Sequence, residues 1–75
     1  MRHYIEDYSG IKREVKGCPK CGEAPDINDC GPEAQGLSCW KCSIHAMVFE
    51  EIGSKAMLLE AIKKWNDGEF EEEDV

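Results

Sequence analysis

Two Cys-x-x-Cys pairs, Cys18 with Cys21 and Cys39 with Cys42, face each other across residues 22–38 of a 75-residue chain. Paired cysteines at this separation are the two-knuckle spacing of a structural zinc site. Two residues between cysteines let one tight turn aim both sulfurs at a single ion. Two such turns, joined by a hairpin, complete a tetrahedron. Pro19 pre-sets the first turn, and Gly22 stands after it, where a left-handed backbone is often needed. The second knuckle carries Trp40 and Lys41 inside it and Ser43 after it. The spacing therefore predicts one structural Zn2+ held by Cys18, Cys21, Cys39 and Cys42. A shell of four thiolates leaves no open position for water activation or Lewis-acid catalysis.

Chain length makes that ion matter. A chain this short is one domain at most and buries too little to be stable by packing alone. Its large apolar residues are few: Ile27, Leu37, Trp40, Ile44, Val48, Phe49, Leu58, Leu59, Ile62 and Trp65 are the candidate core. No apolar run approaches the length of a signal-peptide core or a membrane span, so the expected location is the cytoplasm, with no membrane partner. Thiols stay reduced there, which favours metal binding over disulfides, and five cysteines fit four ligands and one spare.

Residues 24–30, 35–40 and 44–50 read as three short strands of an antiparallel meander. Residues 54–67 read as a helix, with Ser54 as N-cap, Leu58, Ala61, Ile62 and Trp65 on its buried face, and Asn66 and Gly68 closing it. The predicted fold is thus a small α+β zinc ribbon: a β-meander, one C-terminal helix and a four-cysteine site over residues 16–67. Residues 1–15 form a polar lead-in. Its Tyr4, Tyr8, Ile11 and Val15 would share a helical face but for the break at Ser9-Gly10, so either a short helix or a strand pairing with the ribbon is expected. Residues 68–75 form an acidic tail expected to be disordered.

The formal charge is −7, with sixteen acidic and nine basic residues. A general DNA-coating role is disfavoured by such a balance, whereas a basic protein partner is not. Glu50, Glu51, Glu69, Glu71, Glu72, Glu73 and Asp74 are the candidate contacts for that partner, although such a run also suits a merely solubilising end. Lys12, Arg13, Lys16, Lys20 and Lys41, with Trp40 for stacking on an unpaired base, form an alternative nucleic-acid patch. Trp40 equally suits the core or a knuckle shield, and the basic residues suit a solvated lead-in. Cys30 reads as a small buried or incidental thiol, His3 as a surface residue, and His45 as a substitute ligand in an alternative shell. A redox role for one cysteine pair lacks the strand–helix context such motifs use. No phosphate loop or nucleophile–base pair is legible, so the expectation is a protein that is not an enzyme.

Cys-Pro-Lys-Cys-Gly-Glu-Ala at 18–24, Cys-Trp-Lys-Cys at 39–42 and Ala-Ile-Lys-Lys-Trp-Asn at 61–66 together resemble the restriction alleviation (Lar-like) family of small phage and prophage proteins. The likeness spans roughly residues 16–66. It departs from the family pattern at Glu23 and Ser43, where glycines are common. The resemblance implies that the four cysteines hold zinc and that Trp65 with Asn66 packs or caps the helix against the ribbon. It also implies a phage-encoded modulator that relieves a host restriction or defence system by binding a host protein, plausibly a basic nucleic-acid-handling enzyme, in the host cytoplasm. A nucleic-acid-binding ribbon acting in transcription or replication is the alternative, and a structural or dimerising module is a third.

Overall fold

Asp7 organises the first residues of the fold. In the computed structural model, which describes residues 3–69 and the backbone of residues 71–72, its Oδ1 accepts from the amides of Ser9 and Ile11 at 2.8 and 3.0 Å. Its Oδ2 accepts from Arg13 Nε at 2.8 Å. The Arg13 side chain, followed by the Ile11 amide, holds the Asp7 carboxyl below the usual carboxylate range. An aspartate that caps its own turn in this way, with Gly10 at φ 78° beside it, makes a hairpin. Strands β1 (His3–Glu6) and β2 (Lys12–Val15) pair antiparallel in a two-stranded sheet of their own. The lead-in is neither a helix nor a strand of the ribbon sheet, because Ser9-Gly10 is its turn rather than an interruption.

The second sheet contains β3 (Asp26–Asp29), β4 (Gln35–Cys39) and β5 (Ile44–Val48), antiparallel neighbours in chain order. These are the three expected meander strands, the first trimmed at both ends and the other two at their C-terminal ends. Helix α1 (Ser54–Asn66) lies across β4 and β5. Ser54 is its first helical residue, not its cap. Gly53, at φ 95°, takes the cap position and accepts the Met57 amide through its carbonyl at 2.9 Å. At the other end Asp67 is the cap and Gly68 adopts φ 78°. The Gly68 amide donates to Trp65 O at 3.1 Å and the Glu69 amide to Lys64 O at 2.8 Å. These two bonds are the Schellman pattern, which satisfies helix carbonyls and turns the chain back.

That reversal carries the acidic tail onto the open edge of β5. Glu71–Glu72 form β6, with Glu72 opposite Ile44 and Glu71 opposite His45. Within the tail expected to be disordered, the backbone of residues 71–72 pairs here because an open strand edge offers unpaired amides and carbonyls. Glu73 and Asp74 lie outside the described residues.

Val15, Cys18, Leu37, Cys39, Ile44, Ala46, Leu58, Ile62 and Trp65 make one buried cluster between helix and sheet. Val48, Met57 and Ala61 make a smaller one beside it. Three candidate core residues fall outside: Trp40 is 58%, Phe49 74% and Leu59 40% exposed. Trp40 sits at a knuckle tip, Phe49 beyond the end of β5, and Leu59 on the solvent side of α1. Gly36 on β4 is buried against β5, where a Cβ would collide with the Met47 side chain and the Ala46 carbonyl. Ser38 and Gln35 are buried as well. Gln35 is paid in full by partners: its amide nitrogen donates to Asp29 Oδ1 at 2.6 Å and Gly31 O at 2.9 Å, and Tyr8 donates its hydroxyl to Gln35 Oε1 at 2.5 Å.

Candidate metal centre

The first knuckle is built by backbone geometry. The Gly22 amide donates to Cys18 O at 2.8 Å, and the Cys18 amide to Glu23 O at 2.8 Å. Gly22 closes the turn at φ 75°. Gly17 has no room for a side chain, since a Cβ would lie 2.5 Å from the Gly22 carbonyl oxygen. The Lys20 amide points at Cys18 Sγ from 3.4 Å. The second knuckle follows the last residue of β4, and the Cys42 amide donates to Cys39 O at 3.2 Å. Ser43 holds φ 54° one residue after the knuckle, the same relative position as Gly22. It is a non-glycine residue in the left-handed region, which costs on the order of 1 kcal/mol. Ser43→Gly is therefore expected to leave the fold as stable as the parent or up to about 1 kcal/mol more stable, because relief of strain outweighs the added freedom of the unfolded chain. Ser43→Val, β-branched at positive φ, is expected to cost more than 1 kcal/mol. Thermal melting at fixed free metal concentration checks the order of the three proteins.

Together the knuckles bring the sulfurs of Cys18, Cys21, Cys39 and Cys42 within 4.8 Å of one another. Cys21 and Cys39, from opposite knuckles, are 3.6 Å apart. Cys18 and Cys39 are buried, and Cys21 and Cys42 are partly so. None of the five cysteines is in a disulfide. A tetrad of this geometry can hold one metal ion, and it forms one end of the main core.

The four thiols do not ionise alike. Burial pushes Cys39 upward, and burial with the neighbouring thiols of Cys21 and Cys18 pushes Cys42 up to about 12. Burial also opposes ionisation of Cys18, but the amides of Cys21 and Lys20 and the thiols of Cys39 and Cys21 bring it down to about 7. Without an ion the cluster thus favours one thiolate near neutral pH. Loading a divalent cation displaces the remaining protons, so its affinity falls as pH falls.

Trp65 and Asn66 lock the approach to the first knuckle. Trp65, 1% exposed, donates Nε1–H to Lys16 O at 2.8 Å. Asn66 accepts the Lys16 amide at 2.9 Å and donates to Glu14 O at 2.9 Å. Asn66 does not close its own helix, since Gly68 already does, and its amide is used across the fold instead.

The other candidates separate. Cys30 is exposed, its thiol 3.2 Å from Asn28 Oδ1, and it is not in the tetrad. His45 is not a substitute ligand, because its Nδ1 pairs with Ser38 Oγ at 2.8 Å on the opposite face of β5 from Ile44 and Ala46. Asn28 Nδ2 donates to the same Ser38 hydroxyl at 3.0 Å, completing a polar network that no local sequence signal marks. Trp40 meets His45 edge-on, with ring centroids 5.5 Å apart.

Among the alternative basic residues, Lys20 and Lys41 occupy the two exposed knuckle tips with Trp40. Lys12 and Lys16 are exposed on the hairpin, but strand pleating sends Lys12 and Arg13 to opposite sides, and Arg13 is paired with Asp7. Among the acidic residues, Glu50 and Glu51 are exposed in the loop after β5. Glu69 is exposed after α1. Glu69 shares a pocket wall with Phe49, and Glu50 follows Phe49 in the chain. No described helix is long and apolar enough to cross a membrane. The chain matches no family model, no curated protein and no solved structure.

Proposed function

We propose that this chain is a non-enzymatic zinc-ribbon protein that modulates a host restriction or defence system by binding a host protein. The carrying observation is the tetrad itself, four converging sulfurs within 4.8 Å. Tetrahedral Zn–S bonds of about 2.3 Å require sulfurs about 3.8 Å apart, so closure onto zinc asks for movements of about 1 Å or less. An all-thiolate donor set suits zinc and closes its shell, which makes the ion structural and leaves function to the surface. A −7 chain offers that surface to a basic partner such as a nucleic-acid-handling enzyme, and the knuckle and Trp65-Asn66 pattern supports the restriction-alleviation reading. The chain then acts in the cytoplasm of the host. Expression in a restricting bacterial host is expected to raise the plating of unmodified phage over the same host carrying Cys39→Ser. Equal plating of the two strains removes the functional reading while leaving the fold intact.

A second reading, direct binding of nucleic acid, is favoured by one observation: Trp40 stands exposed at a knuckle tip beside Lys41 rather than in the core. Gel shifts with single- and double-stranded probes over a salt series separate the two. Binding that weakens steeply with salt supports this second reading.

A further inference from the structure

Along β5 the buried Ile44, Ala46 and Val48 face the helix, so His45 and Met47 point to the other side, and Phe49 continues that alternation. Trp40 extends the same face through its contact with His45. A pocket of about 180 Å³ opens here, lined by His45, Met47, Phe49, Lys64 and Glu69. Its two bordering aromatics are the most exposed large apolar side chains among the described residues, Phe49 at 74% and Trp40 at 58%. The one cation in the lining, Lys64, turns its Nζ onto the Met47 carbonyl at 3.0 Å. Glu69 is the one carboxylate of the wall, and Glu50 and Glu51 directly follow Phe49 in an exposed loop.

We infer that this face docks a basic, arginine-bearing segment of a partner protein, with a guanidinium laid against the Phe49 or Trp40 ring and neutralised by Glu50, Glu51 and Glu69. Charge complementarity selects the occupant. Guanidinium is planar and weakly hydrated, so it stacks on aromatic faces and pairs with carboxylates at once, which an ammonium does less well. A nucleic-acid strand would find the rings but bring phosphates against the carboxylates. A second copy of the chain would bring another −7 charges. The inference rests on the reading that the protein works by binding another protein, and it specifies the chemistry of the contact.

Titration of the metal-loaded full chain with a short arginine-rich peptide, followed by calorimetry and by Trp40 emission, tests it. The arginine peptide is expected to bind more tightly than a lysine peptide of equal charge. Phe49→Ala and Trp40→Ala, which remove exposed rings and leave the core intact, are each expected to weaken it about five- to tenfold. Glu60→Gln, at an exposed position on α1, is expected to change it less than about twofold. Thermal melts of each variant verify the fold. Ring variants that bind as tightly as the parent, or a single-stranded oligonucleotide that binds more tightly than the peptide, overturn the inference. A chain that raises phage plating yet ignores the peptide also overturns it, with the functional reading left standing. Peptide binding through this face with no effect on plating removes only the functional reading.

Discussion

Stripping the metal with a chelator, or replacing Cys39 with serine, is expected to abolish cooperative unfolding altogether. Metal binding in small zinc domains contributes on the order of 10–16 kcal/mol to folding. The packing of a domain this small supplies about 3–5 kcal/mol. The ion is the larger of the two, and the tetrad shares a cluster with Leu37, Leu58, Ile62 and Trp65, so its loss opens one end of the core. Cys39 is also the terminal residue of β4 and pairs with Ile44, which couples the site to the sheet. Circular dichroism with and without chelator, alongside intact mass under non-denaturing conditions, reads the effect. Cys30→Ser is the control and is expected to change nothing, since Cys30 is exposed and apart from the tetrad. A chelated chain that melts cooperatively at the parent temperature would contradict the expectation.

Acid should act in the same direction. With metal bound, the ligand sulfurs are thiolates in the fold and ordinary thiols, near pH 8.5, in the unfolded chain. Without metal the fold lowers Cys18 to about 7 but raises Cys39 and Cys42, so it is the bound ion, which keeps all four sulfurs deprotonated, that sets the sign. A depressed folded value gives stability that is present above the unfolded value and lost as pH falls through the folded one. Metal-dependent stability is therefore expected to decline progressively as the solution is taken below about pH 8.5, the unfolded thiol value.

Trp65→Ala is expected to be the most damaging substitution outside the tetrad, at about 3–5 kcal/mol. The side chain is 1% exposed at the centre of the main cluster. Its removal leaves a cavity and strands the Lys16 carbonyl that Nε1–H serves. Trp65→Phe keeps most of the volume and loses the hydrogen bond, so it is expected to cost about 1–3 kcal/mol. Denaturant titration at constant free metal orders parent, phenylalanine and alanine variants. An alanine variant within 1 kcal/mol of the parent would show that the tryptophan is not a keystone.

Local rules with a single physical reading survived translation into structure. The cysteine spacing has one economical solution, and α1 shows it too: Leu58, Ala61, Ile62 and Trp65 are all buried. Failures came where two readings share one pattern. Tyr4, Tyr8, Ile11 and Val15 fit a helical period, yet Asp7 caps a turn at Ser9-Gly10, and a side chain that captures two backbone amides outweighs periodicity. Trp40 and Phe49 are apolar, but hydrophobicity alone does not say which side of a sheet a residue faces. Trp40 falls in a knuckle and Phe49 past a strand end, where neither side is covered. Ser54 is a good cap in composition, but Gly53 can adopt φ 95° and takes the place. The tail followed its charge in the sequence and the open edge of β5 in the structure. The carboxylate–aromatic pocket joins positions 45–49 to 64 and 69, a meeting that only the helix reversal at Gly68 creates.

The clamp of Trp65 and Asn66 on residues 14–16 joins partners 49 to 52 positions apart. During synthesis the four sulfurs emerge well before the side chains that fix the approach to the first of them. A chain cut short before residue 65 keeps the four thiols but is expected to bind metal more weakly, because the side chains that clamp residues 14–16 are then missing.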